Sequence, residues 1–228
     1  MNMNLKYRAA QAALKYLCSG MVIGLGSGST AAIFIQLLAE RLRDGVLRDI
    51  QGVSTSESTT ELAQSLGIPL TTLDEHYTLD VHVDGADEVD SDLNLIKGLG
   101  RALLREKIVA IHAKQFIVIV DESKVARRLG SRAPLPVEIV PFAALAQVRW
   151  LNTLGCRAEL WLEPDGSPVV TDNGNYLARC WFPEGIDDAY HLAQVLSERP
   201  GIVEHGLFLD MAHRVIVAGH EGILEMER

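Results

Sequence analysis

The sequence holds few cysteines and few aromatics, no long apolar run and no surplus of positive charge. Its three cysteines, Cys18, Cys156 and Cys180, are odd in number and far apart, without metal-ligand spacing or a disulfide framework. That usage fits a reducing, cytoplasmic compartment. No stretch approaches the ~20 apolar residues needed to cross a bilayer, so no membrane span is expected. Lys and Arg number 21 against 30 Asp and Glu, a net charge of −9, which argues against a nucleic-acid partner held through its phosphates. A small phosphorylated ligand stays open, because a pocket can be locally positive on an acidic protein. The seven histidines form no H-x-x-x-H or similar pair and read as surface or packing residues. No acidic residue precedes Glu40, and Lys6, Arg8 and Lys15 lie ahead of it, a faint likeness to a transit peptide. The stretch runs straight into Met21-Val22-Ile23-Gly24, which reads as a core strand, so cleavage would remove part of the fold.

What is present is an ordinary globular composition: 228 residues, 48% hydrophobic and 22% charged, enough for one domain or a main domain with a smaller lobe. Residues 4–18 read as a helix, with Leu5, Ala9, Ala12, Ala13 and Leu17 near helical spacing. A strand from Met21 to Leu25, a Gly/Ser loop and a helix from about Ala31 to Arg43 follow. Further strands are expected at Ile50–Ser54, Asp80–Asp84 and Phe116–Asp121, with helices at 57–66 and 101–114. Alternating strands and helices predict an α/β fold, a doubly wound and mainly parallel Rossmann-like sheet with ligand sites at the carboxyl ends of its strands.

The pattern changes after Pro134. Val137–Val140 reads as a strand and 142–154 as a helix. Ala158–Leu162, Val169–Thr171 and Tyr176–Trp181 read as strands joined by the turns Glu163-Pro164-Asp165-Gly166 and Asp172-Asn173-Gly174. A helix at 187–197 and a strand near 202–208 complete a small α+β lobe, and Arg214–Val217 returns to the first sheet. The expected division is a Rossmann-like catalytic domain over 1–132 and 209–228, with the lobe at 133–208 inserted before the last strand. Trp150, Trp161 and Trp181 all fall in the lobe, as core or interface anchors without the basic interleaving of a nucleic-acid stacking platform.

Two stretches carry candidate chemistry. Gly24-Leu25-Gly26-Ser27-Gly28-Ser29-Thr30 lies between a strand and a helix, where glycines allow close approach, helix-opening N–H groups favour an anion, and hydroxyls add donors. A tight strand–helix turn with Ser29 or Thr30 as N-cap explains the same residues. The dinucleotide fingerprint fails at Ser29 and the P-loop lacks its lysine, so a small sugar phosphate fits better than a nucleotide. Asp84-Gly85-Ala86-Asp87 stands at a strand's carboxyl end, where two carboxylates can share a small space and one pKa can rise. A solvated acidic turn is the plain alternative; the spacing of a calcium loop is not met. Lys97-Gly98-Leu99-Gly100 opens a helix that carries Arg105-Glu106-Lys107. Lys97 and the glycine amides can neutralise a developing oxyanion, and Glu106 is a candidate base. Taken alone, Glu106 between two cations reads as an exposed helix residue.

The ordered set of segments resembles the type A ribose-5-phosphate isomerases. Gly24 to Ala31, Val83-Asp84-Gly85-Ala86-Asp87-Glu88, Leu95-Ile96-Lys97-Gly98, Ala102 to Ile108, Asp121-Glu122-Ser123-Lys124, Pro134 to Glu138 and Val170 to Asn175 carry it, over nearly the whole chain. The resemblance implies a doubly wound Rossmann-like sheet with a small ferredoxin-like α+β lobe, and interconversion of ribose 5-phosphate and ribulose 5-phosphate through a cis-enediol, with no metal or coenzyme, in a homodimer. It implies Glu106 as the base and Asp84, with Asp87, in ring opening and hydroxyl proton transfer. Lys97 with Gly98, Leu99 and Gly100 would steady the enediolate. Ser27, Gly28, Ser29, Thr30, Gly85, Ala86 and Lys124 would line the substrate site, with Lys6 a further contributor. In the family the loop after this lysine is an unbroken glycine run followed by alanine or another small residue; here Leu99 interrupts the run and Arg101 puts a bulky cation at the small position. Leucine at a position needing φ > 0 would cost roughly 1 kcal/mol. Two rivals remain at this point. A sugar-phosphate sensor without catalysis would need a DNA-binding segment, and an acyl-CoA transferase-like enzyme would need a differently placed glutamate.

Overall fold

The structure is a computed structural model that describes residues 2–228; Met1, the first residue of the expected catalytic domain, lies outside them. In chain order its elements are α1 (Asn2–Ala13), β1 (Val22–Leu25), α2 (Ser29–Arg43), β2 (Gln51–Ser54), α3 (Glu57–Ser65) and β3 (Val81–Asp84). Then come β4 (Glu88–Val89), β5 (Leu95–Ile96), α4 (Leu103–Ile111), β6 (Phe116–Asp121) and β7 (Leu135–Ile139). The remainder is α5 (Ala144–Leu151), β8 (Arg157–Leu160), β9 (Tyr176–Trp181), α6 (Ala189–Ser197), β10 (Ile202–His205), β11 (Leu207–Phe208), β12 (Arg214–Gly219) and β13 (Gly222–Glu227). The helix expected over 4–18 is shorter, and a 3-10 turn at Leu14–Tyr16 follows it.

Two compact units result. The first takes in the chain up to Ala86, Arg105–Lys124 and Asp210–Arg228; the second takes in Asp87–Leu104 and Val125–Leu209. The second is thus larger than the expected lobe, because β4, β5 and the loop after them belong to it.

The first unit is a six-stranded sheet in the order β13-β12-β6-β3-β1-β2. All its pairings are parallel except that of β12 with β13, a hairpin the sequence reading did not foresee. The strands β1, β6 and β12 read as nearly continuous apolar runs because both faces are covered, whereas the edge strand β13 is largely exposed. Ile23, Leu25, Val81, Val83, Ile117 and Ile119 point into one core with α1 and α2. On the alternate phase, Gly24 and His82 meet Val109 of α4 so tightly that a Cβ on Gly24 would lie 2.5 Å from His82 Nδ1 and 2.7 Å from Val109 Cγ1. The strand order reverses between the parallel neighbours β1 and β3, from which the chain continues to β2 on one side and to β6 on the other. The carboxyl ends of those two strands therefore flank a topological switch point, the usual ligand crevice of such sheets.

The second unit holds a four-stranded antiparallel sheet, β10-β7-β9-β8, with α5 and α6 packed against it in one core. A short three-stranded sheet, β11-β5-β4, stands beside it in the same unit. Residues 169–171, expected as a strand, contribute only isolated bridging through Val170 to Tyr176. The stretch 202–208 is split, β10 pairing with β7 and β11 with β5. Glu88 is wholly buried and accepts N–H bonds from Gly130, Arg132 and Ala133 at 2.6–2.7 Å. A charged acceptor satisfied by three amides fixes the segment that leads into β7. The three tryptophans are half-buried rather than core, and each carries an arginine: Arg199 over Trp150, Arg179 over Trp161, and Arg157 and Arg179 over Trp181, at 4.4–5.0 Å. Basic residues thus do interleave with these rings in space. Glu159, however, pairs with both Arg157 and Arg179 and partly offsets their charge.

Asp80 joins β1 to the chain entering β3. Its carboxylate accepts the Val22 N–H at 3.0 Å and the Lys114 ammonium at 2.8 Å, and the lysine hydrogen bond holds its pKa below the ordinary value. A lowered folded-state pKa means stability that is present above the unfolded value, near 3.9, and lost as pH falls through the folded one. Asp80→Asn is expected to cost about 1 kcal/mol at pH 7, with the gap to the parent closing on acidification below about pH 4. Denaturant titrations at both pH values check this; a gap of constant size would show that the charge is not its source.

Candidate active site

The expected site residues divide between the two units. In the first, β1 and β3 lie side by side and end together. Asp84, the last residue of β3, is 0% exposed. Its Oδ1 accepts the Ser27 N–H at 3.1 Å and the Gly85 N–H at 2.7 Å, and its Oδ2 stands 3.5 Å from His82 Nε2. Gly26 is obligatory there, since a Cβ would fall 2.2 Å from Asp84 Oδ1 and 2.6 Å from its Cα. The glycine that sequence reading assigned to ligand approach thus serves first to let a buried carboxylate reach the loop.

Ser27 anchors the Gly/Ser loop from the other side. Its Oγ lies 2.8 Å from Thr55 Oγ1, 2.7 Å from Ser56 Oγ and 3.2 Å from Thr59 Oγ1, and Thr59 Oγ1 donates to Gly26 O. Neither Ser29 nor Thr30 is an N-cap: α2 opens on Gly28, at φ +89°, which has no side chain to cap it. Lys6 Nζ donates to Ser29 Oγ at 2.8 Å, bringing a cation to the helix-opening residue. A Cβ on Gly85 would lie 3.9 Å from Thr30 Cβ, so the acidic turn and the Gly/Ser loop are neighbours. Ala86 follows, half-buried, and Lys124 ends a 3-10 turn after β6, the strand beside β3. The hydroxyls of Thr55, Ser56 and Thr59 escaped the sequence reading. Their signal was the run Ser54-Thr55-Ser56-Glu57-Ser58-Thr59-Thr60 directly after a strand, at the same sheet edge as Ser27.

Glu106 overturns its plain reading as an exposed residue: it is 3% exposed. Leu103, Glu106, Val109 and Ala110 fall at i, i+3, i+6 and i+7 of α4 and are all buried, whereas Arg105 and Lys107 are half-buried beside the stripe. A carboxylate withdrawn from water is costly unless it is paired or hydrogen-bonded, and carboxylates buried in this way concentrate at functional sites.

In the second unit, the β4–β5 pair sets Asp87 against the loop after β5. Asp87 N–H donates to Ile96 O at 2.8 Å, and Asp87 Oδ2 accepts the Leu99 N–H at 2.9 Å. Lys97 is 3% exposed; its N–H donates to Gly206 O at 2.9 Å, and its ammonium lies 5.6 Å from the centre of the Phe208 ring. The expected strain at Leu99 is absent. The positive φ values fall on Gly98, at +110°, and on Arg101, at +70°, with Leu99 and Gly100 between them. Among the described residues no group of three or more His, Cys, Asp or Glu side chains is placed to hold a metal ion, and no helix is long and apolar enough to cross a membrane.

Residues 51–222 match the family model described as ribose 5-phosphate isomerase A, or phosphoriboisomerase A. The chain belongs to that family. A ribose-5-phosphate isomerase A of Desulfatibacillum aliphaticivorans is 51% identical over 223 residues, covering 98% of this chain and 96% of its own. Among solved structures, a D-ribose-5-phosphate isomerase in complex with phospho-erythronic acid superposes with a TM-score of 0.96 at 44% identity, covering 100% of both chains. The ribose 5-phosphate isomerase of Plasmodium falciparum gives a TM-score of 0.95 at 36% identity, covering 99% of this chain and 98% of its own. The α/β fold of mainly parallel strands with small antiparallel sheets is thus that of the family.

Gly26→Ala places a methyl inside the van der Waals radius of Asp84. The variant is expected to lose about 2 kcal/mol or more by overpacking, a Tm drop of roughly 4–8 °C. A thermal melt checks it, and an unshifted Tm would mean that the two strand ends can part without cost.

Proposed function

We propose that the chain interconverts D-ribose 5-phosphate and D-ribulose 5-phosphate through a cis-enediol, as an aldose–ketose isomerase of the non-oxidative pentose phosphate pathway. The observation that carries this reading is the burial of Glu106 on an apolar helix face, in a chain half identical to named isomerases over nearly its full length. An isomerase needs a carboxylate withdrawn from bulk water to move a proton between adjacent carbons. Asp84, with Asp87, is assigned to opening the furanose ring and moving hydroxyl protons. Glu106 then takes the C2 proton of the open aldose while the C1 carbonyl oxygen gains one, giving the enediol. Return of the carbon-bound proton to C1, with loss of the O2 proton, gives the ketose. Lys97 and the backbone amides of Gly98, Leu99 and Gly100 are assigned to the enediolate oxygens, where fixed positive charge lowers the barrier.

The phosphate is assigned to Ser27, Gly28, Ser29 and Thr30 at the opening of α2, with Lys124 and Lys6; Gly85 and Ala86 line the sugar. The Lys6–Ser29 hydrogen bond and the uncapped start of α2 support this, since both offer positive potential to an anion. This reading needs no metal or coenzyme. The chemistry is assigned to a Rossmann-like catalytic domain over 1–132 and 209–228, with 133–208 as the smaller lobe. A cytoplasmic homodimer belongs to the same proposal, supported for the compartment by three free cysteines. Nothing in the fold favours a sensor without catalysis.

Purified protein assayed in excess chelator is expected to convert ribose 5-phosphate to ribulose 5-phosphate at an undiminished rate. Glu106→Gln should lower kcat by about 100-fold or more, the scale of a lost general base. A variant with full turnover would remove Glu106 from that role, and chelator-sensitive turnover would bring a metal into the mechanism.

A further inference from the structure

The loop that follows Lys97 is held at more points than a glycine run could provide. Gly98 is packed so closely that a Cβ would lie 2.8 Å from Leu103 Cδ2 and 3.2 Å from Pro136 Cβ. The Arg101 N–H donates to Gly98 O at 2.9 Å and closes a four-residue turn. Arg101, the last residue of that turn, sits at φ +70°, a conformation that a side-chain-bearing residue keeps only where its surroundings over-determine it. The surroundings are on the β8–β9 connection. Arg101 Nη1 lies 2.5 Å from Glu163 Oε1 and Nη2 lies 3.2 Å from Oε2, and the guanidinium stacks over the Trp161 ring at 5.3 Å. Both partners are themselves fixed. The Trp161 N–H donates to Leu177 O and its carbonyl accepts the Val169 N–H, while the Glu163 N–H donates to Ser167 O and its carbonyl accepts the Gly166 N–H.

We propose that Arg101, gripped by Glu163 and Trp161, is a positioning residue that holds the 98–101 turn in the geometry its amides need for catalysis. The inference rests on the isomerase reading and deepens it. The ion pair is partly solvated, 41% and 32% exposed, so its role is geometric more than energetic. A two-pronged guanidinium–carboxylate contact fixes orientation as well as distance, which a lysine or a glycine at this position would not do. Arg101, at a position where the resemblance implies a small residue, thus adds a side-chain brace to the loop.

Four variants test it: Glu163→Gln, Arg101→Gly, Arg101→Lys and the Arg101→Gly/Glu163→Gln double. Glu163→Gln and Arg101→Gly should each lower kcat by about 5- to 20-fold with KM changed less than about twofold, since small displacements of positioned groups act mainly on the chemical step. The double variant should be no worse than the poorer single, as residues acting through one contact are not additive, and Arg101→Lys should recover only part of the loss. Amide hydrogen exchange at Leu99, Gly100 and Arg101 should quicken by about tenfold in Glu163→Gln. Unchanged exchange in that variant would overturn the brace. Quickened exchange with parental kcat in both single variants would overturn its part in catalysis. If the parent protein fails to turn over ribose 5-phosphate, the isomerase reading falls instead, and the exchange measurement still decides whether the brace exists.

Discussion

At the carboxyl end of β3 the side chain of Asp84 is fully buried, takes N–H bonds from Ser27 and Gly85, and leaves no room for a side chain on residue 26. The arrangement of the first unit follows from that contact. It ties the end of β3 to the end of β1 at the place where the strand order reverses, and it sets the backbone of the Gly/Ser loop. The loop then delivers Ser27 to the hydroxyl cluster of the next strand end and Gly28 to the start of α2. Moving the carboxylate would move all of these, because each is held by the one before it.

Several carboxylates of this chain are buried, each at a cost in desolvation that its partners must offset. Asp84 and Glu106 are both withdrawn from water, one at a strand end and one on a helix face. Glu88, equally buried, is spent on three backbone amides and serves as structure. Glu138 is likewise committed, accepting from Thr171, Asn173 and Asn175. Backbone amides hold Asp84 as well as Glu88, so what separates these carboxylates is where each stands: Asp84 ends a strand and Glu106 lies on a helix face, whereas Glu88 and Glu138 fasten loop segments.

The sheet of the first unit was legible because strands covered on both faces are apolar throughout and alternate with amphipathic helices. The carboxyl-end loops, with Asp84 and the Gly/Ser segment, were legible for the same reason. Glu106 was not legible from its neighbours, since Arg105 and Lys107 suggest a solvated surface; the stripe of Leu103, Val109 and Ala110 on either side of it held the information. The pairs β4–β5 and β5–β11 are two residues long, too short for any periodicity, and only the fold brings them together. The left-handed residue of this loop is Arg101 and not Leu99, and its side chain is tied to Glu163 and Trp161. Sequence gives the composition of a turn, but pairing at its ends sets its dihedral angles.

The stacking of arginines on tryptophans has a practical consequence for following this molecule in solution. All three indoles belong to the unit made of Asp87–Leu104 and Val125–Leu209, and each lies face-on to a cation. Their emission therefore reports on that unit alone, while the parallel sheet carries no indole and is silent at those wavelengths. Backbone dichroism sees both units together. A mismatch between the two signals during unfolding would separate the loss of one compact unit from the loss of the other, with no label introduced.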